Sequence, residues 1–173
     1  FIQGPEVKSF EADLGKYLDD AHVIACANGT DALQIALMAL ELDPGDEVNV
    51  PSFTFVASVE VIALLGLKPI VVDVDPRSFL LKIEDIEASL SPRTKAIIPV
   101  HLFGQCVNMK ALMAIAKNRD LFVIEDNAQS IGARCIATGD AKEMSGTIGH
   151  IGCTSFYPSK NLGCYGDGGA MIS

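Results

Sequence analysis

The sequence predicts an α/β fold in which a mostly parallel β-sheet carries helices on both faces. Short apolar runs alternate with segments of helical periodicity along the chain, which is the pattern of strand–helix–strand units. The apolar runs are hydrophobic throughout instead of at every second residue, as expected of strands buried on both faces. The length of 173 residues suits one domain with a substantial core.

The predicted helices and strands follow one another in a regular order. A proline in the first turn opens the first helix, and the turn residues of segment 43–46 close the second. The helices are predicted at residues 5–18, 30–42, 55–65, 83–90 and 109–119. The strands are predicted at residues 23–27, 47–51, 69–74, 96–101, 121–125, 151–156 and 170–173. The long glycine-containing segment 130–150 is expected either to be functional or to contain a small hairpin.

The composition excludes several classes of protein. There are 13 basic against 22 acidic residues and a net charge of -9, whereas proteins that bind nucleic acid or anionic membranes are expected to be basic. The longest apolar runs fall far short of the ~20 residues that span a bilayer. The five cysteines form no C-x-x-C pair, which argues against a zinc site. They are expected to be free thiols in a reducing cytoplasm.

The two ends of the chain suggest a longer polypeptide. The sequence begins at Phe1 without an initiator methionine or a secretory signal. It stops at Ser173 inside an apolar run, which is typical of a strand that is cut short. We therefore expect the 173 residues to be part of a larger protein.

Candidate ligand contacts follow the first two strands, because ligands bind at the carboxyl ends of strands in such sheets. Asn28, Gly29 and Thr30 lead from the first strand into a helix, which Thr30 can cap. The N–H groups of the first helical turn can hold a phosphate; the alternative is an ordinary helix cap. Phe55 follows the second strand, where it either stacks on a flat ligand ring or belongs to the core.

Later in the chain, Asp126 and Gln129 follow a strand and are close enough in sequence to reach one ligand. A carboxylate at the end of a buried strand needs a partner, which is either a helix that it caps or a cationic ligand atom. Lys160 lies between an apolar strand and a glycine-rich turn, where desolvation favours a neutral, nucleophilic amine. A lysine, an acid, a phosphate site and an aromatic residue are together the requirements for binding pyridoxal 5'-phosphate (PLP).

The order of these motifs resembles that of the DegT-type sugar-nucleotide aminotransferases, a family of fold type I PLP enzymes. The resemblance extends along essentially the whole chain and is carried by Gly4-Pro5-Glu6, Asn28-Gly29-Thr30-Asp31-Ala32-Leu33, Pro44-Gly45-Asp46-Glu47-Val48, Val72-Asp73-Val74-Asp75, Pro99-Val100-His101-Leu102-Phe103-Gly104, Glu125-Asp126-Asn127-Ala128-Gln129-Ser130 and the segment around Lys160. It implies that residues 1–173 are part of the PLP-binding large domain, a three-layer α/β/α structure. It also implies that an N-terminal segment, the end of this domain and the C-terminal small domain are missing.

The resemblance also implies roles for individual residues. Lys160 matches the lysine that binds PLP as a Schiff base and shuttles the proton, and Asp126 matches the acid that keeps the pyridine nitrogen protonated. The other positions that match cofactor contacts are Gly29, Thr30 and Ser155 at the phosphate, Phe55 at the ring face and Gln129 at the ring hydroxyl. Those that match substrate contacts are Ser159 and Phe1. No role in metal binding is implied.

Two further residues of the matching motifs are expected to be structural. His101 follows a strand and is interpreted as a hydrogen-bonded residue instead of a base, because Lys160 already provides proton transfer. Asn127 stands where the family usually has alanine. In an extended segment its side chain points away from that of Asp126, so we expect little effect on the cofactor.

The implied function is amino transfer, with glutamate as the expected donor, to a keto sugar nucleotide for surface polysaccharide or antibiotic sugar synthesis. The segment around Lys160 looks most like enzymes for 3-keto sugars, in particular those that aminate a UDP-linked N-acetyl uronic acid. Family members are usually homodimers whose site is completed by the partner chain, and we expect this protein to be cytoplasmic. Two alternatives remain open: a PLP protein of this family without amino transfer, such as a dehydratase or a regulator, and a non-enzymatic sugar-nucleotide-binding module.

Overall fold

The computed structural model describes residues 4–137 and 142–173. Its strands are β1 (Val23–Cys26), β2 (Glu47–Pro51), β3 (Lys68–Val72), β4 (Thr94–Ile97), β5 (Phe122–Asp126), β6 (Arg134–Ile136), β7 (Lys142–Met144), β8 (Ile151–Ser155) and β9 (Gly169–Ile172). Seven of them form one sheet in the order β1-β9-β8-β5-β4-β2-β3, and β6 pairs with β7 separately.

The central sheet is mostly parallel. Neighbouring strands from β8 through β5, β4 and β2 to β3 pair in parallel, whereas β9 is antiparallel to both β1 and β8. The parallel arrangement brings the carboxyl ends of β2, β5 and β8 to one edge of the sheet. Pro51, Asp126 and Ser155 are the last residues of these three strands. This edge is where a ligand is expected in an α/β sheet.

Helices cover both faces of the sheet. They are α1 (Pro5–Tyr17), α2 (Gly29–Ala39), α3 (Ala57–Leu64), α4 (Ile83–Ser89) and α5 (Met109–Arg119). On one face, Leu37 of α2 and Val61 of α3 belong to a buried cluster with Val50 of β2. Each of these helices buries one apolar side against the sheet. Because α2 follows β1 and α3 follows β2, the N-termini of both helices lie beside the carboxyl edge of the sheet.

The opposite face is covered by α4, α5 and α1. Ile86 and Leu112 cluster with Ile97 of β4, and Leu14 of α1 clusters with Ile172 of β9. Alternate residues of the strands therefore enter two separate apolar layers, as strands buried on both faces require. The predicted three-layer α/β/α fold is confirmed.

Two segments differ from the prediction or resolve an alternative. The strand predicted at 96–101 is shorter: β4 ends at Ile97, because Pro99 has no N–H to continue the ladder. Segment 130–150 contains the hairpin of β6 and β7, which was one of the two expected possibilities.

The cysteines correct one prediction. Cys106 and Cys135 form a disulfide across a sequence separation of 29 residues, although all five were expected to be free thiols. The spacing of the cysteines in the sequence does not predict this pairing. It depends on the fold, because the β6–β7 hairpin places β6 next to α5 and to the loop that precedes α5. The remaining cysteines are free, namely Cys26, Cys153 and Cys164.

The described ranges contain neither a membrane-spanning helix nor a cluster of metal ligands. None of their helices combines the length and apolarity needed to cross a membrane. No group of three or more histidine, cysteine or acidic side chains within them could hold a metal ion.

Candidate active site

A cavity of about 730 Å³ opens at the carboxyl edge of the sheet. It gathers residues from α2, α3, β5 and the segment after β8, which are far apart in the sequence. Eight of the nine predicted site residues line it: Gly29, Thr30, Phe55, Asp126, Gln129, Ser155, Ser159 and Lys160. The ninth, Phe1, lies outside the described residues.

One end of the cavity is the N-terminus of α2. Asn28 is the N-cap, and its side-chain Oδ1 accepts the N–H of Asp31 at 2.8 Å; this corrects the expectation that Thr30 caps the helix. The N–H groups of Gly29 and Thr30 have no acceptor within the helix, because they belong to its first turn. They and the helix dipole make this end of the cavity suited to an anion.

The approach of α2 to β8 depends on a glycine. A Cβ atom on Gly29 would lie 2.6 Å from the Cβ of Ser155, a distance that real Cβ atoms do not tolerate. The missing side chain therefore lets the helix N-terminus and the Ser155 hydroxyl face the same small volume. That volume is of the kind that a phosphate group fills.

Asp126 lines the cavity and is buried. Its Oδ2 accepts the hydroxyl proton of Ser58 at 2.7 Å, and its Oδ1 accepts the N–H of Ala128 at 3.2 Å. Burial raises the pKa of Asp126 above its ordinary value, although Ser58, Ala128 and the positive charge of Lys160 act in the opposite direction. A cationic ligand atom would complete the neutralisation of this carboxylate.

Lys160 lies in the tight turn that follows β8 and is half-buried. Its backbone N–H donates to the carbonyl oxygen of Tyr157 at 2.8 Å. The turn is closed by Gly163, where an added Cβ would lie 2.4 Å from the carbonyl oxygen of Pro158. This compact turn presents the lysine side chain to the same cavity as Asp126.

Phe55 and Gln129 complete the wall of the cavity. Phe55 is 67% exposed, so it belongs to the cavity surface and not to the core. Gln129 accepts the backbone N–H of Phe103 at 3.2 Å through its Oε1. A second recess of about 380 Å³, between Phe103 and Lys160, adjoins this wall. The candidate site therefore has a neighbouring recess on the side of Phe103.

Sequence reasoning missed Ser58. Its side chain is buried and donates to Asp126 across a separation of 68 residues. Thr54 lies next to it, with its Oγ1 3.0 Å from the Ser58 Oγ. The available signal was a small polar residue in a mostly apolar helix, where a buried hydroxyl needs a partner.

His101 and Asn127 are buried and hydrogen-bonded. His101 Nε2 lies 2.7 Å from Oε2 of Glu125, in agreement with its interpretation as a structural residue. The Nδ2 of Asn127 donates to the carbonyl oxygen of Ser145 at 2.9 Å. Asn127 does not line the cavity described above, so its side chain points away from that of Asp126, as expected.

Taken as a set of donors and acceptors, the cavity fits a flat, phosphate-bearing ring that carries a cationic nitrogen. The α2 N-terminus and Ser155 suit the phosphate, and the buried carboxylate of Asp126 suits the ring nitrogen. The Lys160 amine lines the same cavity, as covalent attachment of a carbonyl group on that ring would require. These features fit PLP.

Comparison with known proteins decides the family. A model of the DegT/DnrJ/EryC1/StrS aminotransferase family matches residues 1–173. The chain belongs to this family. The resemblance inferred from the sequence motifs is thereby confirmed over the full length of the chain.

Curated relatives are identical to this chain at about half of its positions. It is 51% identical over 173 residues to a UDP-2-acetamido-2-deoxy-3-oxo-D-glucuronate aminotransferase of Pseudomonas aeruginosa, and covers 47% of that protein. It is 50% identical over 173 residues to a UDP-N-acetyl-3-dehydro-alpha-D-glucosamine 3-aminotransferase of Acidithiobacillus ferrooxidans, covering 46% of it. It is 48% identical over 173 residues to a pleiotropic regulatory protein of Geobacillus stearothermophilus, covering 45% of it. The chain thus spans about half the length of these DegT relatives.

Solved structures of the family have the same fold. A DegT/DnrJ/EryC1/StrS aminotransferase from Brucella abortus is 53% identical, with a TM-score of 0.94 over 100% of this chain and 47% of that chain. The NtdA protein of Bacillus subtilis, solved with bound cofactor PMP, is 40% identical, with a TM-score of 0.89 over 99% of this chain and 37% of that chain.

Proposed function

We propose that the protein is a PLP-dependent aminotransferase that transfers an amino group from glutamate to a keto sugar nucleotide. One observation carries the proposal: a lysine, a buried carboxylate and a helix N-terminus line a single cavity. Membership of the DegT family supports it, as does the similarity to a structure that contains the amino form of the cofactor. The presence of Lys160 favours transamination over the dehydratase alternative, because that branch has histidine in its place.

The PLP contacts are assigned by the chemistry of each side chain. Asp126 holds a proton on the ring nitrogen, and the Lys160 amine holds the cofactor and moves the proton at the substrate carbon. When bound, PLP supplies an electron sink for the carbanion that amino transfer requires. The remaining contacts are proposed for Gly29, Thr30 and Ser155 with the phosphate, Phe55 with the ring face and Gln129 with the ring hydroxyl.

The proposed acceptor is a 3-keto sugar linked to UDP, such as an N-acetyl uronic acid, used for surface polysaccharide or antibiotic sugar synthesis. The names of the Pseudomonas and Acidithiobacillus relatives support this class. Ser159 is exposed at the mouth of the cavity, where a substrate can reach it. We assign Ser159 and Phe1 to substrate binding.

The proposed assembly is a cytoplasmic homodimer in which each chain helps to complete the other's site. Residues 1–173 are proposed to form the PLP-binding large domain, because they span about half of their relatives. The recess between Phe103 and Lys160, which adjoins the cavity, supports a site that another chain completes.

Absorbance spectroscopy of the naturally encoded protein tests the cofactor and the reaction together. Added PLP should give a visible band that borohydride removes with a gain in protein mass, and the Lys160→Ala variant should show neither change. Lys95→Ala, which removes an exposed lysine at the other end of the sheet, is the matched control. Glutamate should convert the bound cofactor to its amine form; a band that persists in glutamate would identify a PLP protein without amino transfer.

A protein that binds a sugar nucleotide but develops no band with PLP would contradict the proposal. That result would favour the alternative of a non-enzymatic binding module.

A further inference from the structure

Glu125 and His101 form a fully buried pair next to Asp126, which lines the cavity. Glu125 precedes Asp126 in β5, and successive side chains of a strand point to opposite faces. Asp126 therefore faces the cavity, while Glu125 points into the layer of α5. A buried carboxylate is costly unless it is hydrogen-bonded, so the bonds of Glu125 show what it holds in place.

Both carboxylate oxygens of Glu125 accept hydrogen bonds from the backbone of one loop, and one of them also contacts His101. Its Oε1 accepts the N–H groups of Ile148 at 2.7 Å and Gly149 at 2.5 Å. Its Oε2 accepts the N–H of Gly146 at 2.9 Å and lies 2.7 Å from Nε2 of His101. Burial opposes ionisation, but the bonds from His101 and the loop outweigh it and hold the pKa of Glu125 below its ordinary value.

His101 connects Glu125 to the backbone that carries the cavity residues. The Val107 N–H donates to its Nδ1 at 3.2 Å, so the ring proton is on Nε2 and is donated to Glu125. The backbone N–H of His101 donates to the carbonyl oxygen of Asp126 at 3.0 Å. The hydroxyl of Ser130 donates to the backbone oxygen of His101 at 2.5 Å.

His101 thus binds β5 twice, at the side chain of one residue and at the backbone of the next. It also fixes Ser130, which closes the turn containing Gln129. Asp126 and Gln129 are the two residues assigned to the cofactor ring nitrogen and hydroxyl. A shift of this turn would therefore move both contacts at once.

We infer that the Glu125–His101 pair is a positioning device that sets the distance of Asp126 and Gln129 from the cofactor ring. This inference rests on the proposed function, since it concerns how the same site holds PLP. Neither residue of the pair lines the cavity, so both act through the residues that do. A misplacement of about 1 Å at such a site can lower a rate by about 100-fold.

The Glu125→Gln variant tests the inference. Gln has nearly the same shape as Glu, but one of its two terminal groups is an NH₂ donor. At either oxygen position of Glu125 this NH₂ would face two N–H donors, with which it cannot form hydrogen bonds. We expect the turnover number for glutamate to fall about 10- to 100-fold with little change in KM. We also expect the visible circular dichroism of bound PLP to weaken, because this signal depends on the orientation of the ring.

Glu47→Gln is the matched control. Glu47 is also a buried carboxylate with several hydrogen bonds, but it lies at the opposite edge of the sheet, where it begins β2. Its substitution should lower thermal stability and leave the dichroism and turnover number unchanged. Normal turnover and dichroism in Glu125→Gln would overturn the inference and leave the proposed function intact.

A second variant covers failure to fold. His101→Asn shortens the side chain and should weaken the same contacts, with the same two readouts. If both variants are insoluble while Glu47→Gln is soluble, the pair serves folding alone and the inference is wrong. If the unmodified protein shows no visible band with PLP, the proposed function fails and the inference fails with it.

Discussion

Asp126 and Glu125 are neighbouring buried carboxylates whose environments shift their pKa values in opposite directions. The described residues give Asp126 two hydrogen bonds, whereas Glu125 has three from backbone N–H groups and one from His101. Glu125 is therefore satisfied within the protein. The incompletely compensated carboxylate is the one that faces the cavity, as a contact to a cationic ring nitrogen would require.

At the residue scale, the first prediction concerns Ser58. Ser58→Ala removes the hydroxyl that donates to Asp126 at 2.7 Å, and the loss of a hydrogen bond to a charged group costs about 1.5–3 kcal/mol. Because burial already raises the pKa of Asp126, the variant should raise it further. Turnover should fall about ten- to a hundredfold, and the acidic limb of the pH–rate profile should move to higher pH.

The control for this prediction is Ser89→Ala. The Ser89 hydroxyl is also hydrogen-bonded, to the carbonyl oxygen of Ile86 at 2.7 Å, but it lies at the end of α4, away from the cavity. Its removal should leave the pH–rate profile unchanged. A Ser58→Ala variant with an unshifted acidic limb would show that the hydroxyl does not support the charge of Asp126.

The positions of the candidate site residues were largely predictable, and their supporting contacts were not. Asp126 and Lys160 follow strands, and the rule that ligands bind at carboxyl ends needs only local patterns. Ser58 reaches Asp126 across 68 residues, and His101 reaches Glu125 across 24 residues. Such pairs depend on strand order and helix placement, which single-sequence patterns leave undetermined.

At the scale of elements, Glu47 joins two strands and a loop at the edge opposite the cavity. The carboxylate accepts hydrogen bonds from Ser91, Lys68 and Arg93 at 2.5, 3.1 and 2.9 Å. These bonds lower the pKa of Glu47 to about 2, and the bond from Ser91 contributes most, followed by those from Lys68 and Arg93. The ionised side chain therefore ties the start of β2 to β3 and to the segment before β4.

This network predicts how stability depends on pH. A lowered carboxyl pKa contributes stability that is present above the unfolded value of about 4.3 and is lost as pH falls through about 2. The unmodified protein should be more stable than Glu47→Gln at pH 7, and the difference in unfolding free energy should disappear towards pH 2. Denaturant unfolding at several pH values measures this difference in unfolding free energy.

Glu87→Gln, a substitution at an exposed position of α4, is the control and should show no such difference at pH 7. A difference in unfolding free energy between the unmodified protein and Glu47→Gln that does not change with pH would contradict the prediction.

The disulfide gives a second prediction at this scale. Cys106 and Cys135 link the loop before α5 to the β6–β7 hairpin across 29 residues, and closing a loop of this size stabilises a fold by about 3.6 kcal/mol. A variant with serine at both positions should lose about this much under oxidising conditions. Reductant should lower the stability of the unmodified protein to the same level, and in a reducing compartment this contribution would be absent.

Cys164→Ser is the control for the disulfide, because Cys164 is a free and exposed thiol. Reductant should lower the stability of this variant as much as it lowers the stability of the unmodified protein. Unfolding curves of the unmodified protein that coincide with and without reductant would show that the bond does not form in solution.

At the scale of the whole molecule, the fold class was predictable because apolar runs and helical periodicity act along the entire chain. The strand order was not, since the antiparallel insertion of β9 between β1 and β8 leaves no local pattern in the sequence. The net charge of -9 opposes nucleic-acid binding. It does not oppose an anionic sugar nucleotide, because the N–H groups at the α2 N-terminus act locally on a phosphate.

The surface next to the cavity provides the last prediction, which concerns assembly. Phe53, Phe79 and Phe103 form a cluster, with ring centroids 5.1 Å apart in the first pair and 6.3 Å in the second. They are 48%, 40% and 61% exposed. Phe79 and Phe103 also adopt positive φ angles of 61° and 56°, which are strained for bulky residues and typical of functional sites.

An exposed apolar cluster of this kind marks a protein contact, and we expect a second copy of this chain to cover it in the proposed homodimer. Phe103→Ser should raise the dimer dissociation constant at least about tenfold, corresponding to about 1.4 kcal/mol, and should lower turnover when the enzyme is dilute. Sedimentation velocity over a range of concentrations measures the dissociation constant. Phe122→Ser, which changes an aromatic residue at the start of β5, 38% exposed, should leave it unchanged. A dimer that is equally stable in both variants would place the subunit contact on a different surface, because the Phe103 cluster could then not be buried by the partner.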